Sequence, residues 1–265
     1  MDIITDKETE NRMPVKSITH DSFARAGRLA VWGQCALWGA AVIAVAEMVA
    51  GASFPERVGA PLLTLQALLL AAYSFLTFFS SMVNYRAGRT KINDVVDNAF
   101  GTDIGDGHSE NYFDNDEISQ GTKRLLYNTA ESCFFSYREL RSMAWGVSCK
   151  TLVPLAILVA GLVLNRAEVI MAIFRITALL VLIIQAVRYA VTVSVLETLL
   201  GRMTDTLKHK AVKANQFNAE SINYTIEYET LMSWYGCKIP DSVYHRLNES
   251  LTKEWEEKKK SFVIK

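Results

Sequence analysis

Apolar residues are concentrated in four blocks of the chain, and polar stretches separate these blocks. A helix crosses ~30 Å of hydrocarbon with roughly 20 apolar residues, because each residue adds ~1.5 Å. Every block meets this length, so the pattern predicts four transmembrane helices. The predicted spans are Leu29–Ala50, Ala60–Val83, Ser142–Leu164 and Val169–Val195. Only the turns at 51–59 and 165–168 separate the members of each pair, which predicts two helical hairpins.

Hydrophobic periodicity continues beyond the second span and predicts a helix that leaves the membrane. Ile92, Val95 and Ala99 recur at the spacing of one helical face. Asp94 and Asp97 belong to the other, polar face of this helix. We predict that the helix stops at Gly101.

The tail after the fourth span shows the same helical periodicity. Tyr224, Tyr228 and Leu231 form one stripe, and we predict a new helix that starts near Pro240. The stripe of that last helix consists of Val243, Leu247, Leu251 and Trp255. Strand patterns are almost absent from the sequence, so the segments outside the spans are predicted to be helical as well.

The predicted fold class is therefore all-α: a polytopic membrane protein with four transmembrane helices in two hairpins and a helical cytoplasmic domain. The predicted segments are a cytoplasmic N-terminal segment (1–28), a first hairpin (29–83), a cytoplasmic helical segment (84–141), a second hairpin (142–195) and a cytoplasmic helical tail (196–265).

Basic residues indicate how the chain is oriented in the membrane. Segments 1–28, 84–141 and 196–265 contain 5, 7 and 11 Lys and Arg residues, whereas each hairpin turn contains 1. Cytoplasmic loops carry the excess of Lys and Arg. Both termini and the middle segment are therefore predicted to be cytoplasmic.

Charge and chemistry exclude several classes of function. Lys plus Arg and Asp plus Glu both number 28, so the net charge is near zero and we expect no DNA or RNA partner. The four cysteines have no metal-ligand spacing. The sequence has no Walker A loop, dinucleotide fingerprint, zinc-protease motif or nucleophile elbow. We therefore expect no enzymatic activity, no cofactor and no metal site.

Two opposite charges are predicted inside the membrane. Arg175 lies roughly 10 Å below the turn at 165–168, and Glu47 roughly 8 Å below the turn at 51–59. A charge at this depth is costly unless it is paired or hydrated. One hypothesis is therefore that Glu47 and Arg175 pair in the bundle or ring a water-filled path; the alternative is that they are interfacial anchors. The other charges assigned to the interfaces are Lys150, Arg166 and Arg188.

Aromatic and basic residues outside the spans form a candidate surface for a cytoplasmic ligand or partner. Aromatic rings and cations together suit a planar or phosphate-bearing ligand. The alternative is ordinary helix packing for the aromatic residues and a solvated face for the basic ones. The candidate residues are Phe134, Phe135, Tyr137, Arg138, Lys208, Lys210, Lys213, Tyr224 and Tyr228.

Three short motifs in this layout resemble the SMODS-associated four-transmembrane effector family. They are Arg89-Thr-Lys-Ile-Asn-Asp-Val-Val-Asp-Asn-Ala-Phe100 after the second span, Asn128-Thr-Ala-Glu-Ser-Cys-Phe-Phe-Ser136 before the third, and Trp234-Tyr-Gly236 with Ile239-Pro240 in the tail. The chain departs from the family pattern at Val96 and Asp97, where a Phe-Asp pair is expected, and at Ser132.

The resemblance implies a membrane effector of bacterial anti-phage defence, located in the inner membrane. Such a protein is expected to form a homo-oligomer on a cytoplasmic signal, either a cyclic oligonucleotide or a signalling protein, and to permeabilise the bilayer. Two alternatives remain open from the residues alone. One is a non-conducting scaffold or adaptor whose helical tail recruits a soluble partner, and the other is a small transporter or channel.

Overall fold

The described part of the chain is entirely helical. The computed structural model describes residues 19–50, 56–105, 109, 115, 117–164, 169–208, 213–235, 239 and 241–262, and these residues contain six helices and no strand. The helices are α1 (His20–Ala50), α2 (Glu56–Phe100), α3 (Thr122–Leu164), α4 (Val169–Lys208), α5 (Ala214–Tyr235) and α6 (Asp241–Lys259). The predicted all-α class is confirmed for these residues.

Two helices are long and apolar enough to cross a membrane. Within the described residues, the segments with this property are Gly59–Phe100 of α2 and Ile183–Lys208 of α4. Only 6 % of the apolar window in α2 is buried, whereas the core helix of a water-soluble protein is mostly buried. Helices α1 and α3 cover the other two predicted spans, which stay predictions.

Helices α2 and α4 continue without a break beyond the predicted spans. Helix α2 has 45 residues and α4 has 40, so each is about 60 Å long or more. Helix α2 ends where the sequence predicts, because Gly101 has a left-handed φ of +67° and its N–H donates to the Asp97 carbonyl at 2.8 Å. Each of the two helices therefore connects a predicted span to the segment outside it without a break.

Helices α1 and α2 pack closely as an antiparallel pair. The Gly39 backbone approaches α2 so closely that a Cβ there would lie 3.3 Å from Leu69 Cδ1. Near the other end, the Ser80 hydroxyl donates to the Ala26 carbonyl at 2.8 Å. Small residues permit such close contact between helices in a membrane. This packing matches the predicted first hairpin.

The parts of α2, α3 and α4 beyond the predicted spans pack with α5 and α6 into what we call the membrane-distal bundle. Its core contains Tyr127 of α3, Met203 of α4, Tyr228 of α5 and Trp255 of α6, each no more than 2 % exposed. The predicted stripe of the last helix faces the core, since Val243, Leu251 and Trp255 are buried and Leu247 is partly buried. Large buried side chains from four helices thus hold the tail against the extensions of the predicted spans.

Candidate functional site

Helix α5 contacts the extensions of three helices, and we call this region the coupling interface. Burial of the aromatic face of α5 brings its tyrosines and acidic residues against α2, α3 and α4. The residues that define the interface are Lys91 of α2, Ser136 of α3, Thr206 of α4, and Tyr224, Tyr228 and Glu229 of α5. Through these side chains, α5 contacts the extensions of α2, α3 and α4.

An ion pair joins α2 to α5. Lys91 Nζ lies 3.1 Å from Glu229 Oε1, and the two side chains are only 17 % and 12 % exposed. The same ammonium lies 4.9 Å from the centroid of the Tyr228 ring. The charges are therefore partly removed from water, which makes their mutual attraction stronger than that of a surface pair.

Buried hydroxyl groups join α3 to α5. The hydroxyls of Ser136 and Tyr228 lie 3.0 Å apart, and Tyr228 also donates to the Ser132 carbonyl at 3.2 Å. One turn away, the hydroxyls of Thr129 and Thr225 lie 2.9 Å apart. Burial is the main cause that raises the pKa of Tyr228, so its phenol stays neutral and can donate.

Helix α4 contacts α5 through an aromatic ring and an ion pair. The Tyr224 hydroxyl lies 3.2 Å from the Thr206 hydroxyl, and the Arg202 guanidinium lies 5.0 Å from the centroid of the Tyr224 ring. Arg202 also lies 2.9 Å from Glu227 on α5. Since the three sets of contacts share one helix, a shift of α5 changes contacts with α2, α3 and α4 at the same time.

A second group of polar contacts, the distal polar network, lies at the end of the bundle. Asn115 donates to Asn128 and to Glu131, both at 2.9 Å, and Asn128 donates to Asn98 at 2.8 Å. The buried Lys259 of α6 reaches Asn115 Oδ1 at 3.4 Å. These residues connect α2, the segment before α3, α3 and α6.

The polar face of α2 is buried rather than solvated. Both carboxylate oxygens of Asp97 accept hydrogen bonds, from the N–H groups of Ile104 and Gly105, each at 2.8 Å. Asp94 accepts a bond from the Ser109 N–H at the same distance. The two aspartates therefore hold the chain that follows α2. Periodicity places them on the polar face but contains no signal for this covering segment.

The predicted ligand-surface residues are distributed over several environments. Phe134 is buried in the core, while Tyr137 donates to Glu197 at 2.8 Å and Arg138 lies 2.8 Å from Glu254. Phe135 is half-buried against the same core. Tyr224 and Tyr228 belong to the coupling interface. Lys208 and Lys213 are exposed, and Lys210 lies outside the described residues.

The predicted intramembrane pair lies outside what the structure describes. Glu47 is on α1 and Arg175 is on α4, but neither side chain is among those described, so their pairing stays a prediction. The Lys150 side chain and all of Arg166 are likewise outside the described residues. Arg188 is exposed, with its guanidinium 5.7 Å from the centroid of the Trp234 ring on α5.

Sequence patterns did not single out Glu139, which is the most unusual carboxyl group of the described part. Its side chain is 5 % exposed, its Oε1 has no hydrogen-bond partner, and desolvation raises its pKa from 4.5 to about 7. Glu139 lies three residues before the predicted third span. A glutamate beside the charged Arg138 looks like an ordinary surface residue in a sequence.

Within the described part, no group of three or more His, Cys, Asp or Glu side chains is arranged to hold a metal ion. A groove of about 390 Å³ runs between α3 and α4, with Val147, Tyr189 and Val193 among its lining residues. Comparison with known proteins adds no relative: no protein-family model, no curated protein and no solved structure matches this chain.

Proposed function

We propose that this chain is a membrane effector of bacterial anti-phage defence that permeabilises the inner membrane when its membrane-distal bundle receives a cytoplasmic signal. The observation that carries the proposal is the continuity of α2 and α4. Each combines an exposed apolar segment long enough to cross a bilayer with an extension that contacts α5. The resemblance of three sequence motifs to the SMODS-associated four-transmembrane effectors supports the same function.

The coupling interface supplies the connection that such an effector needs. A signal shifts an equilibrium between closed and open arrangements only if it binds the two differently. Lys91 and Arg202, on the extensions of α2 and α4, both bind acidic residues of α5. A ligand or partner that moves α5 therefore changes contacts on both helices at once, and the two helices transmit that change toward the membrane.

Inside-out membrane vesicles test this function, because they expose the bundle to added compounds. Vesicles from bacteria that express the full chain are energised, and their proton gradient is followed with a quenched acridine dye. Synthetic cyclic dinucleotides and cyclic trinucleotides are the probes. We expect at least one probe to collapse the gradient in these vesicles and not in vesicles without the protein.

A gradient that persists at saturating concentrations of every probe would count against a nucleotide-gated effector. Loss of the gradient without any probe would instead support the small channel or transporter. Lys253→Met is a matched control, because its pair with Glu249 is 74 % and 86 % exposed and lies away from α5. This variant should respond to the probes as the wild type does.

A further inference from the structure

A buried carboxyl group and a buried hydroxyl group without partners lie at one level of the bundle. Cys133 Sγ donates to the Leu196 carbonyl at 3.6 Å, and the Tyr189 hydroxyl donates to the Leu140 carbonyl. These contacts align α3 antiparallel to α4. They place Glu139 and Thr192 within about two residues, or about 3 Å, of the same level along the helix axes.

Neither side chain is exposed, and each has one oxygen atom without a hydrogen-bond partner. Glu139 is 5 % exposed and Thr192 is 0 % exposed. Glu139 Oε1 and Thr192 Oγ1 have no hydrogen-bond partner. Buried polar groups are nearly always hydrogen-bonded, and an unpaired carboxylate is far more costly to bury than a neutral carboxyl group. The arrangement therefore suits the protonated form of Glu139.

Among the described residues, no charged side chain stabilises the ionised form of Glu139. The charged side chains on the helices packed against α3 are exposed or engaged with other partners, and none of them contributes to the pKa of Glu139, which burial alone raises. They include Arg188 and Glu197 on α4, Arg86, Arg89 and Lys91 on α2, Glu229 on α5, Glu254 on α6, and Asp21, Arg25 and Arg28 on α1.

We propose that Glu139 is a proton-binding site that favours the closed bundle while protonated and makes opening by the signal easier when the carboxyl group ionises. An ionised carboxylate needs water or a donor, and the buried Oε1 of Glu139 has no hydrogen-bond donor. Ionisation therefore favours an arrangement in which the entry to the predicted third span is hydrated. This regulation rests on the proposed permeabilising function, but the proton site itself is testable without it.

The first test measures thermal unfolding of the detergent-solubilised full chain as a function of pH. The pKa of Glu139 is raised in the folded state, from 4.5 to about 7. Its contribution to stability is therefore complete below about pH 4.5 and is lost as the pH rises to about 7. Relative to the neutral isostere Glu139→Gln, the wild-type Tm should fall by about 7–14 °C over this range. Parallel Tm curves for the two proteins would overturn the proton site.

Glu197→Gln is the matched control, because Glu197 is 61 % exposed on the neighbouring helix. Its Tm curve should keep the pH dependence of the wild type. The second test measures the nucleotide-induced collapse of the vesicle gradient at different pH values. The rate should rise about tenfold between about pH 6 and about pH 8 in the wild type, and stay constant in Glu139→Gln.

The two tests separate the two proposals. An induced collapse that is independent of pH in the wild type would overturn the role of Glu139 in opening. A complete lack of induced collapse counts against the proposed function, and the Tm curves then still decide whether Glu139 binds a proton near neutral pH.

Discussion

Removal of the Lys91 ammonium is the most informative perturbation of the coupling interface. In Lys91→Met a long apolar side chain replaces the lysine, so Glu229 loses the ammonium that lies 3.1 Å away. The Glu229 side chain, which is 12 % exposed, then has no countercharge from α2. The variant also loses the cation above the Tyr228 ring. The residues involved are distant in sequence, so the change reports on the packing of α5 against α2.

The size of the effect follows from the partial burial of the pair. Breaking a fully buried pair costs about 3–5 kcal/mol, whereas an exposed pair contributes about 0.2–1 kcal/mol. Lys91 and Glu229 lie between these limits, so we expect a loss of about 2 kcal/mol. For a chain of this size, that loss lowers the Tm by about 4–8 °C.

The assay is a double-mutant cycle in thermal unfolding with Lys91→Met, Glu229→Gln and the double variant. The double variant should lose less stability than the sum of the single variants, with a coupling energy of about 1 kcal/mol or more. Lys253→Met, which breaks the exposed pair with Glu249, should lower the free energy of unfolding by less than about 0.5 kcal/mol. If the stability losses of Lys91→Met and Glu229→Gln simply add in the double variant, burial does not strengthen this pair. The same holds if Lys253→Met loses as much stability as Lys91→Met.

Three further predictions concern other parts of the chain. Gly101→Ala should lower the free energy of unfolding by about 1 kcal/mol or more, because the φ of Gly101 is +67°. Gly201→Ala should raise it by about 0.5–1 kcal/mol, because Gly201 is an exposed residue in the middle of α4. Denaturation of the two variants checks these opposite signs. Lys259→Met should lower the free energy of unfolding by about 1–3 kcal/mol, because it removes a donor from the distal polar network. A lower Tm of the variant checks this loss. The swap of Glu47→Arg with Arg175→Glu should restore stability relative to each single change; a double variant no better than either single change would exclude the pair.

Local features of the fold could be predicted from the sequence. The end of α2 at Phe100 and the start of α6 at Asp241 follow from glycine, proline and periodicity signals close to each boundary. The buried stripe of α6 follows from the spacing of Val243, Leu251 and Trp255. Such signals act over one or two helical turns, so a single sequence contains them completely.

The candidate site could not be predicted in the same way, because its contacts join distant residues. The sequence indicates Tyr224 and Tyr228 as candidate site residues, but it does not indicate their partners Thr206 and Ser136. Lys91 and Glu229 are 138 residues apart, and no local pattern links them. Burial of Glu139 likewise depends on how several helices close around α3. The sequence therefore indicates candidate site residues, but it does not show which residues of other helices they contact.

Potassium release from proteoliposomes tests the central claim most directly. The vesicles contain only the purified full-length protein, and cyclic dinucleotides and cyclic trinucleotides are added on the side of the membrane-distal bundle. The account predicts that one probe triggers rapid release with the wild type and with Lys253→Met, and slower release with Lys91→Met because its coupling interface is weakened. Wild-type vesicles that retain potassium with every probe, although the protein is folded and inserted, would contradict a signal-gated membrane effector.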